Sequence, residues 1–422
     1  MSAAVAGPEV LTGPGAVAGP EGVAGPEVVA GSGAVAGPTP ERLAELTGRV
    51  AAVTAEHLDR TDRDAVFPVE ALAELRRTGL LGLLVPAEYG GLGGSTRDMV
   101  EASVALGRAD MSVAMIFAMH CQQVAAVVRH GNERLRGELL PGVAEGRTYL
   151  ASVTTEAGKG GHLLTAEAAL DAAGDELDVD RFAPIVTGGA HADGFLVTML
   201  APGATSPNQV SLVYARRDQL TVEETGDWQP LGMRASHSVA LRLRGRVPRH
   251  HVVGEQGGFR TVVTSVFGPM AHLGWSAAWL GTAAGALSRV LRMLRSRENR
   301  NRVDLDSELL LTRISEARRR LDTVHALLLR TERTVAGSAD LSLPRIQLQL
   351  NALKITAAEE CFAVVDGLIE AVGMRHGYLK GSPTRLEQAL RDLRSASLNY
   401  SNDRLHLTDG KLALLDPEVR FV

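Results

Sequence analysis

Arginine is concentrated in one stretch of the chain, between Arg289 and Arg320. A guanidinium group presents several N–H donors in a planar fork, which suits the oxygens of a phosphate. Dense arginine is also typical of the solvated face of a long helix. The stretch therefore predicts either a solvent-exposed helical face or a strip that contacts the phosphates of a nucleotide cofactor.

Composition excludes several classes of protein. The 422 residues allow two or three domains, and the net charge of −5 gives no support for binding to nucleic acid or to an anionic membrane. Cys121 and Cys361 stand far apart, so they predict neither a metal site nor a disulfide framework. Two reduced thiols fit a cytoplasmic protein. The N-terminal residues lack a basic segment followed by an unbroken apolar core, so no signal peptide is predicted.

The pattern along the chain changes twice. Residues 1–38 are rich in Ala, Gly and Pro and predict a disordered tail. Residues 39–149 have helical periodicity, residues 150–255 have short β-rich segments, and residues 256–422 return to long helical patterns. The predicted fold is therefore mostly α with a central β domain between two helical domains.

Individual elements can be predicted within these domains. Thr39 is expected to cap the first helix, with proline at the next position. We expect strands over residues 194–200 and 210–214. Long helices are expected over residues 258–294, 306–336 and 343–372, with another from Pro383. The apolar run over residues 261–287 is long enough to span a bilayer, but it contains many small residues and is predicted to be a core helix.

A glycine-rich phrase follows the helical pattern of residues 67–84. Four glycines in the five residues 90–94 cannot continue a helix and predict a tight turn. The whole phrase LVPAEYGGLGG at 84–94 resembles a signature of the acyl-CoA dehydrogenase family of flavoproteins. Other phrases that resemble signatures of the same family stand at 106–112 and 231–238, and the resemblance runs over about residues 40–414.

The resemblance implies a specific architecture. Members of the family have an N-terminal helical domain, a middle β-barrel-like domain and a C-terminal four-helix bundle. FAD and an acyl thioester lie between these domains. Such proteins usually form homotetramers, so a homotetramer or homodimer is expected here.

Threonines in the β domain stand at the family's flavin-contact positions. VTTEAG at 153–158 resembles a family phrase in which a threonine and nearby backbone N–H groups contact the flavin ring. By position this role falls to Thr155, with Thr154 beside it. Thr187 matches a residue near the flavin N5 edge, although the aromatic residue usual before it is replaced by Ile185.

The C-terminal domain resembles the family more loosely. Arg297 stands where a family arginine contacts the FAD pyrophosphate of a neighbouring subunit, but the Phe-Gly that follows in the family is absent. Residues 371–378 resemble the glycine-rich turn near the adenosine end of FAD. This turn implies cofactor contacts at Gly373 and Gly377.

The catalytic glutamate of the family is missing. In most members it lies eight residues after the aspartate of an Arg-Asp phrase, and counting from Asp392 gives Tyr400. In a minority it lies on the first helix of the bundle, where this chain has Ala271 beside His272. Neither counted position carries a carboxylate.

Tyr400 and Asp403 are the candidate catalytic residues. Ionising a tyrosine at neutral pH costs roughly 4 kcal/mol from its reference pKa, so Tyr400 is a poor base but a ready proton donor. Asp403 lies one helical turn beyond and is expected to face the same way. His237 and His272 are lesser candidates, since a single histidine is more often structural.

Three functions remain open at this point. The first is an FAD-dependent oxidoreductase acting on an acyl thioester of CoA or of a carrier protein. The second is a flavin-dependent monooxygenase of the same fold, and the third is a flavin-binding partner subunit without activity. The first is preferred because most of the family are dehydrogenases. Its expected electron acceptor is an electron-transfer flavoprotein or oxygen.

Overall fold

The computed structural model describes residues 37–157, 163–299 and 303–422. Residues 1–36, most of the predicted tail, lie outside this part of the chain. Gly158 of the threonine phrase and Arg300 of the arginine stretch also lie outside it.

The first block of the described chain is helical. It contains α1 (Pro40–Asp64), α2 (Val69–Thr78), α3 (Thr96–Gly107), α4 (Met111–His130) and α5 (Glu133–Ala144). The predicted cap is confirmed, since the side chain of Thr39 accepts a hydrogen bond from the backbone N–H of Arg42 at 3.2 Å. Leu43 and Leu46 lie on the buried face of α1, which packs against α2 and α3.

The glycine-rich region ends the second helix earlier than its periodicity predicts. The helical pattern of residues 67–84 forms α2 and then a short 3₁₀ turn at Leu80–Gly82, because Gly79 adopts a left-handed conformation with φ +76° and terminates α2. The tight turn itself is confirmed. Glycine is required at Gly91, since a Cβ there would lie 2.1 Å from the carbonyl oxygen of Val85.

The second block is built of two four-stranded sheets. The strands are β1 (Leu150–Val153), β2 (Asp171–Ala173), β3 (Glu176–Ala183), β4 (Gly194–Leu200), β5 (Val210–Arg216), β6 (Leu220–Thr225), β7 (Ala240–Pro248) and β8 (Val252–Val253). One sheet has the order β1-β4-β5-β8 and the other β2-β3-β7-β6. Strands β1 and β4 pair in parallel, whereas the other paired strands are antiparallel. The strands predicted over residues 194–200 and 210–214 are confirmed as β4 and β5.

The burial patterns explain the two sheets. Strands β4 and β5 are buried along almost their whole length, so the first sheet is covered on both faces. Strand β3 alternates between buried and exposed or half-buried residues, as expected for a sheet with one face toward solvent. The predicted β domain is therefore a buried sheet beside a half-exposed one.

The third block is again helical. It contains α6 (Phe259–Val262), α7 (Gly268–Leu294), α8 (Glu308–Gly337), α9 (Pro344–Gly373), α10 (Leu386–Leu393) and α11 (Asn402–Ala413). The helix expected over residues 258–294 is divided by a π turn at Val263–Phe267. The predicted architecture, a β domain between two helical blocks, is confirmed.

Helix α7 lies at the centre of the bundle. Its Trp279 is fully buried, and the helix packs against α3 and α4 as well as against α8 and α9. The prediction of a core helix from the apolar run is thus confirmed. Among the described helices, α4 is long and apolar enough to cross a membrane, but 83% of its apolar window is buried inside the protein.

Candidate functional site

Three chain segments meet at the ends of the strands and bring the predicted flavin residues together. Thr155 follows β1, and its hydroxyl donates to the carbonyl oxygen of Ile185 at 2.9 Å. The backbone N–H of Ile185 lies 3.4 Å from the same hydroxyl. Thr187 follows two residues later, and its Oγ1 lies 3.0 Å from Oγ of Ser238, just before β7. Thr154 is half-buried beside Thr155.

A short row of hydroxyl groups continues behind Thr187. Ser236 and Ser238 are both buried, and their Oγ atoms lie 2.8 Å apart. Backbone hydrogen bonds hold the two segments together, since the N–H of Gly188 donates to the carbonyl oxygen of Ser236 at 3.0 Å. The two serines belong to the phrase at 231–238, but sequence reasoning gave them no role.

The chemistry of this cluster suits a flavin. Hydroxyl groups can donate to the nitrogen and carbonyl acceptors along one edge of the ring system, while an apolar side chain covers its flat face. Ile185 lies beside Thr155 with 52% of its surface exposed. An aliphatic side chain therefore stands where the family places an aromatic one.

A buried ion pair fixes the segment that carries Thr155. Arg181 on β3 contacts Glu156 with Nη1 and Oε1 2.7 Å apart, and the side chains are only 2% and 7% exposed. The same guanidinium donates to the carbonyl oxygen of Thr155 at 2.7 Å. Burial lowers the pKa of Arg181 to about 10, so it stays charged at neutral pH. Sequence reasoning missed Arg181, although it occupies an inward position in the alternating pattern of β3.

A basic cleft lies at the far end of α7 and α9. It has a volume of about 640 Å³, and its charged lining residues include Arg289, Arg292, Arg375 and Lys380. Gly377 is buried beside the cleft, where a Cβ would lie 2.8 Å from the carbonyl oxygen of Ile369.

The glycine-rich turn carries residues that line the cleft, whereas the predicted arginine, Arg297, is not among the lining residues. Gly373 ends α9 with φ +66° and leads into the turn that carries Arg375. Arg297 is exposed in the turn after α7, and its neighbours Glu298 and Asn299 line the cleft.

The arginine stretch divides between the two roles expected for it. At its first end, Arg289 donates to the carbonyl oxygen of Thr384 at 2.8 Å, which joins α7 to the wall of the cleft. Farther along, Arg313 and Arg320 on α8 pair with Glu370 and Glu360 on α9. Among the described residues of the stretch, those near 289–297 therefore have the composition of a phosphate site.

The structure does not place Tyr400 and Asp403 on one helical face, so that expectation is wrong. Tyr400 has φ +53° and precedes α11, so the helical spacing that would align the two side chains begins only after it. Tyr400 is 42% exposed, and Asp403 is exposed in the first turn of α11.

A buried lysine holds the turn that contains Tyr400. Lys354 on α9 is fully buried, and its Nζ donates to the carbonyl oxygens of Ala396 at 3.0 Å and Tyr400 at 2.9 Å. It also donates to Oδ1 of Asn402 at 2.6 Å. Nζ lies 5.6 Å from the centre of the Trp279 ring, within reach of a cation–π interaction. Burial lowers the pKa of Lys354 to about 8. Sequence reasoning missed this residue because a single lysine in a helical pattern is normally predicted to be exposed to solvent.

The alternative base positions are structural. Ala271 is buried on α7, and the neighbouring His272 donates from Nδ1 to the carbonyl oxygen of Leu350 at 3.2 Å. Burial, followed by the charge of Lys354, lowers the pKa of His272 to about 4. The other histidine considered, His237, lies 3.8 Å from Glu224 through its Nε2 and one oxygen of the carboxylate.

The Arg-Asp phrase joins all three blocks. Arg391 on α10 pairs with Asp62 on α1, with Nη2 and Oδ2 2.6 Å apart, and it donates to the carbonyl oxygen of Leu231 at 3.1 Å. Asp392 accepts a hydrogen bond from the backbone N–H of Met233 at 2.6 Å. Burial, together with the charge of Asp110, raises the pKa of Asp392 well above its usual range.

The comparisons with known proteins agree with this architecture. The model "Acyl-CoA dehydrogenase, N-terminal domain" matches residues 41–147, and "Acyl-CoA dehydrogenase, C-terminal domain" matches residues 257–399. The mitochondrial isobutyryl-CoA dehydrogenase of Dictyostelium discoideum is 24% identical over 80% of this chain and 79% of its own length.

Two solved structures share the fold. FMN-bound TdsC from Paenibacillus sp. A11-2 has a TM-score of 0.80 at 22% identity, covering 90% of this chain and 98% of that one. Butyryl-CoA dehydrogenase from Megasphaera elsdenii has a TM-score of 0.77 at 17% identity, covering 89% and 99%. The predicted fold and enzyme class, a flavin-dependent oxidoreductase, are confirmed. The chain belongs to the acyl-CoA dehydrogenase family.

Proposed function

We propose that the protein is an FAD-dependent oxidoreductase that oxidises the Cα–Cβ bond of an acyl thioester carried on CoA or on a carrier protein. The observation that carries the proposal is the convergence of Thr155, Ile185 and Thr187 at the strand ends of a chain of this family. Thr155 comes from one segment and Ile185 and Thr187 come from another, and their meeting places polar groups beside an aliphatic side chain, as a flavin edge and face require.

The protein's own residues hold and orient the cofactor. Thr154 and Thr187 offer hydroxyl groups to the ring edge, and the hydroxyl of Thr155 joins the two segments through the carbonyl oxygen of Ile185. The ion pair of Arg181 with Glu156 keeps the segment of Thr154 and Thr155 in place. When bound, the flavin supplies the two-electron acceptor for the hydride equivalent that leaves Cβ.

The phosphate end of the cofactor is proposed to occupy the basic cleft. Arg292 and Arg375 present guanidinium groups there, and the turn from Gly373 to Gly377 lets the backbone approach closely. Arg297 lies at the rim, exposed, as expected for a residue that reaches a cofactor held by a second subunit.

The α-proton needs an acceptor other than the usual glutamate. We propose Tyr400 as the nearest functional replacement by position, with Asp403 as the second candidate. Lys354 holds the backbone of Tyr400 by donating to its carbonyl oxygen. Because an un-ionised tyrosine is a weak base, the proposal favours a substrate whose α-proton is unusually acidic.

The replacement of both acidic positions supports a second candidate function. A flavin-dependent monooxygenase activates oxygen and needs no base for an α-proton, so Tyr400 and Ala271 are compatible with it. This function predicts rapid oxygen consumption when the flavin is reduced externally, with no dependence on a thioester.

Exposed apolar side chains near the C-terminus support an association between copies of the chain. Leu398, Leu407, Leu414 and Phe421 are exposed near the C-terminus, and we propose that a second copy of the chain covers them in a homodimer or homotetramer. An electron-transfer flavoprotein is the proposed acceptor. The two buried free cysteines are consistent with the proposed cytoplasmic location.

Exchange of the substrate's α-proton tests the function directly. The protein is incubated anaerobically in deuterated water with acyl-CoA and carrier-protein thioesters, and deuterium at Cα is measured by mass spectrometry. Exchange catalysed by the wild type supports thioester chemistry. Y400F is expected to slow it by about 100-fold or more if Tyr400 acts on the proton, since a positioned acid–base group typically contributes 10²–10⁴.

Matched variants keep that experiment interpretable. Y89F removes a hydroxyl from the glycine-rich turn, and D306N removes an exposed carboxylate of the kind that D403N removes. Both controls should exchange as fast as the wild type. Full exchange in Y400F and in D403N would refute both proposed residues, and no exchange by the wild type would favour the monooxygenase.

A further inference from the structure

Two histidines and a glutamate converge where α5 meets the turn after β7. Nε2 of His250 lies 3.0 Å from Oε2 of Glu138, and Nε2 of His251 lies 3.3 Å from the same oxygen. All three ligand atoms lie within 4.8 Å of one another. The cluster belongs to none of the elements that carry the proposed flavin site.

The contacts around the cluster orient it. Nδ1 of His251 lies 3.1 Å from the carbonyl oxygen of Tyr214, so this nitrogen carries the hydrogen and Nε2 points its lone pair toward Glu138. A backbone carbonyl that fixes the tautomer is typical of metal-binding histidines. The side chain of Asn132 donates to the carbonyl oxygen of His250 at 2.6 Å, which holds the turn against the start of α5.

The two oxygens of the Glu138 carboxylate have different partners. Oε1 of Glu138 accepts a hydrogen bond from Nε of Arg134 at 2.9 Å, which leaves Oε2 for the two imidazoles. A nitrogen lone pair of His251 and a carboxylate oxygen repel each other unless a cation lies between them. Either a proton or a metal ion can supply that positive charge.

The two distances from Oε2 of Glu138 to the imidazole nitrogens are close to the edge of a metal tetrahedron. With Zn–N and Zn–O distances of about 2.0–2.1 Å, two ligands of a tetrahedral zinc ion lie about 3.3–3.4 Å apart. The observed 3.0 and 3.3 Å are close to that edge. His251 is 4% exposed and held rigidly, whereas Glu138 is 44% exposed, so the fourth position opens to solvent.

We propose that Glu138, His250 and His251 bind one zinc ion, or a divalent transition metal of similar preference, with water as the fourth ligand. The ion links α5 of the first helical block to the end of β7 in the β domain. The earlier prediction of no metal site considered the two cysteines and not these three residues. Adjacent histidines far from the glutamate in sequence match no common ligand spacing.

Metal titration of the full-length protein tests the proposal. Tag-free protein is stripped with a chelator, and ZnCl₂ is added in a calorimeter. CoCl₂ is added in a separate experiment, because tetrahedral cobalt absorbs strongly in the visible range. The variants are H250A and E138Q, with H325A as the control for an exposed histidine elsewhere.

The proposal predicts one zinc ion per chain, a tetrahedral cobalt spectrum and a rise in melting temperature with zinc. H250A and E138Q should each weaken binding by about 100-fold or more, beyond the 10–100-fold typical of outer contacts. H325A should bind as the wild type does. Circular dichroism and the metal-free melting temperature show that each variant is folded.

Three results would overturn the proposal. They are the absence of stoichiometric zinc binding, binding that survives H250A and E138Q, and an octahedral cobalt spectrum. The cluster would then be an ion pair bridged by a proton. Bound flavin and thioester turnover do not enter the readout, so the outcome is independent of the proposed function.

Discussion

Replacing Lys354 by methionine is the most informative change for stability. The lysine ammonium donates to the carbonyl oxygens of Ala396 and Tyr400 and to the side chain of Asn402. Methionine fills similar space but donates nothing, so two buried acceptors and one half-buried acceptor lose their donor. An unsatisfied buried acceptor costs about 1–3 kcal/mol.

Part of that cost is offset, because the buried charge is itself unfavourable. The pKa of Lys354 falls from 10.5 to about 8 on burial, which corresponds to about 3 kcal/mol spent on keeping the ammonium charged at neutral pH. At about 2 kcal/mol for each of the two buried acceptors and less for the third, the gross loss is about 5 kcal/mol, so the net loss of unfolding free energy expected for K354M at pH 7 is about 2 kcal/mol. Urea denaturation followed by circular dichroism measures it.

The pH dependence provides a second, sharper signature. Between pH 8 and pH 10.5 the unfolded lysine binds a proton that the folded one has released. The wild type therefore gains stability relative to K354M as pH rises, by about 1.5 kcal/mol between pH 8 and pH 9.5. K411M, which removes an exposed lysine on α11, is the matched control and should show neither effect. A K354M variant as stable as the wild type, or a difference that is constant with pH, would refute the reasoning.

Three further changes test other parts of the account. D110N keeps a helix-capping side chain but removes a carboxyl whose pKa burial raises from 3.8 to about 6. Stability from that carboxyl is present below pH 3.8 and is lost as the pH rises through 6. D110N should therefore gain up to about 3 kcal/mol of unfolding free energy over the wild type at pH 7, and thermal melts at pH 5 and pH 7 measure the difference. G232A places a Cβ 2.0 Å from the carbonyl oxygen of Arg391 and should cost about 3 kcal/mol or more in denaturant titrations, whereas soluble protein of wild-type stability would contradict the packing. T187V removes a hydroxyl from the proposed flavin edge and should weaken FAD binding by up to about tenfold in fluorescence titrations. The control T198V, on β4, should bind FAD as the wild type does, and equal affinity in T187V and the wild type would argue against a flavin contact at Thr187.

The parts of the structure that depend on local pattern were predictable from the sequence. Residues 194–200 and 210–214 are apolar, β-branched and bounded by turn residues, and they form β4 and β5. The cap at Thr39 was equally local. The helix over residues 67–84 was predicted too long, because hydrophobic periodicity continues past Gly79 while the backbone does not.

The parts of the site that depend on tertiary contact were not predictable. Thr187 and Ser238 meet across 51 positions of sequence, and only the family resemblance had singled out Thr187. The alignment expected for Tyr400 with Asp403 failed because a single left-handed residue shifts the side chain out of helical register. Lys354 looked like a surface residue, since its burial arises from packing between α9, α7 and the turn before α11.

Anaerobic mixing of the FAD-loaded protein with acyl-CoA and carrier-protein thioesters tests the central claim most directly. The visible absorption band of the flavin reports whether electrons leave the substrate. The account predicts that at least one thioester bleaches the band without any added reductant. If every thioester leaves the band intact, and the externally reduced protein then consumes oxygen rapidly, the protein is not a thioester dehydrogenase and the monooxygenase takes its place.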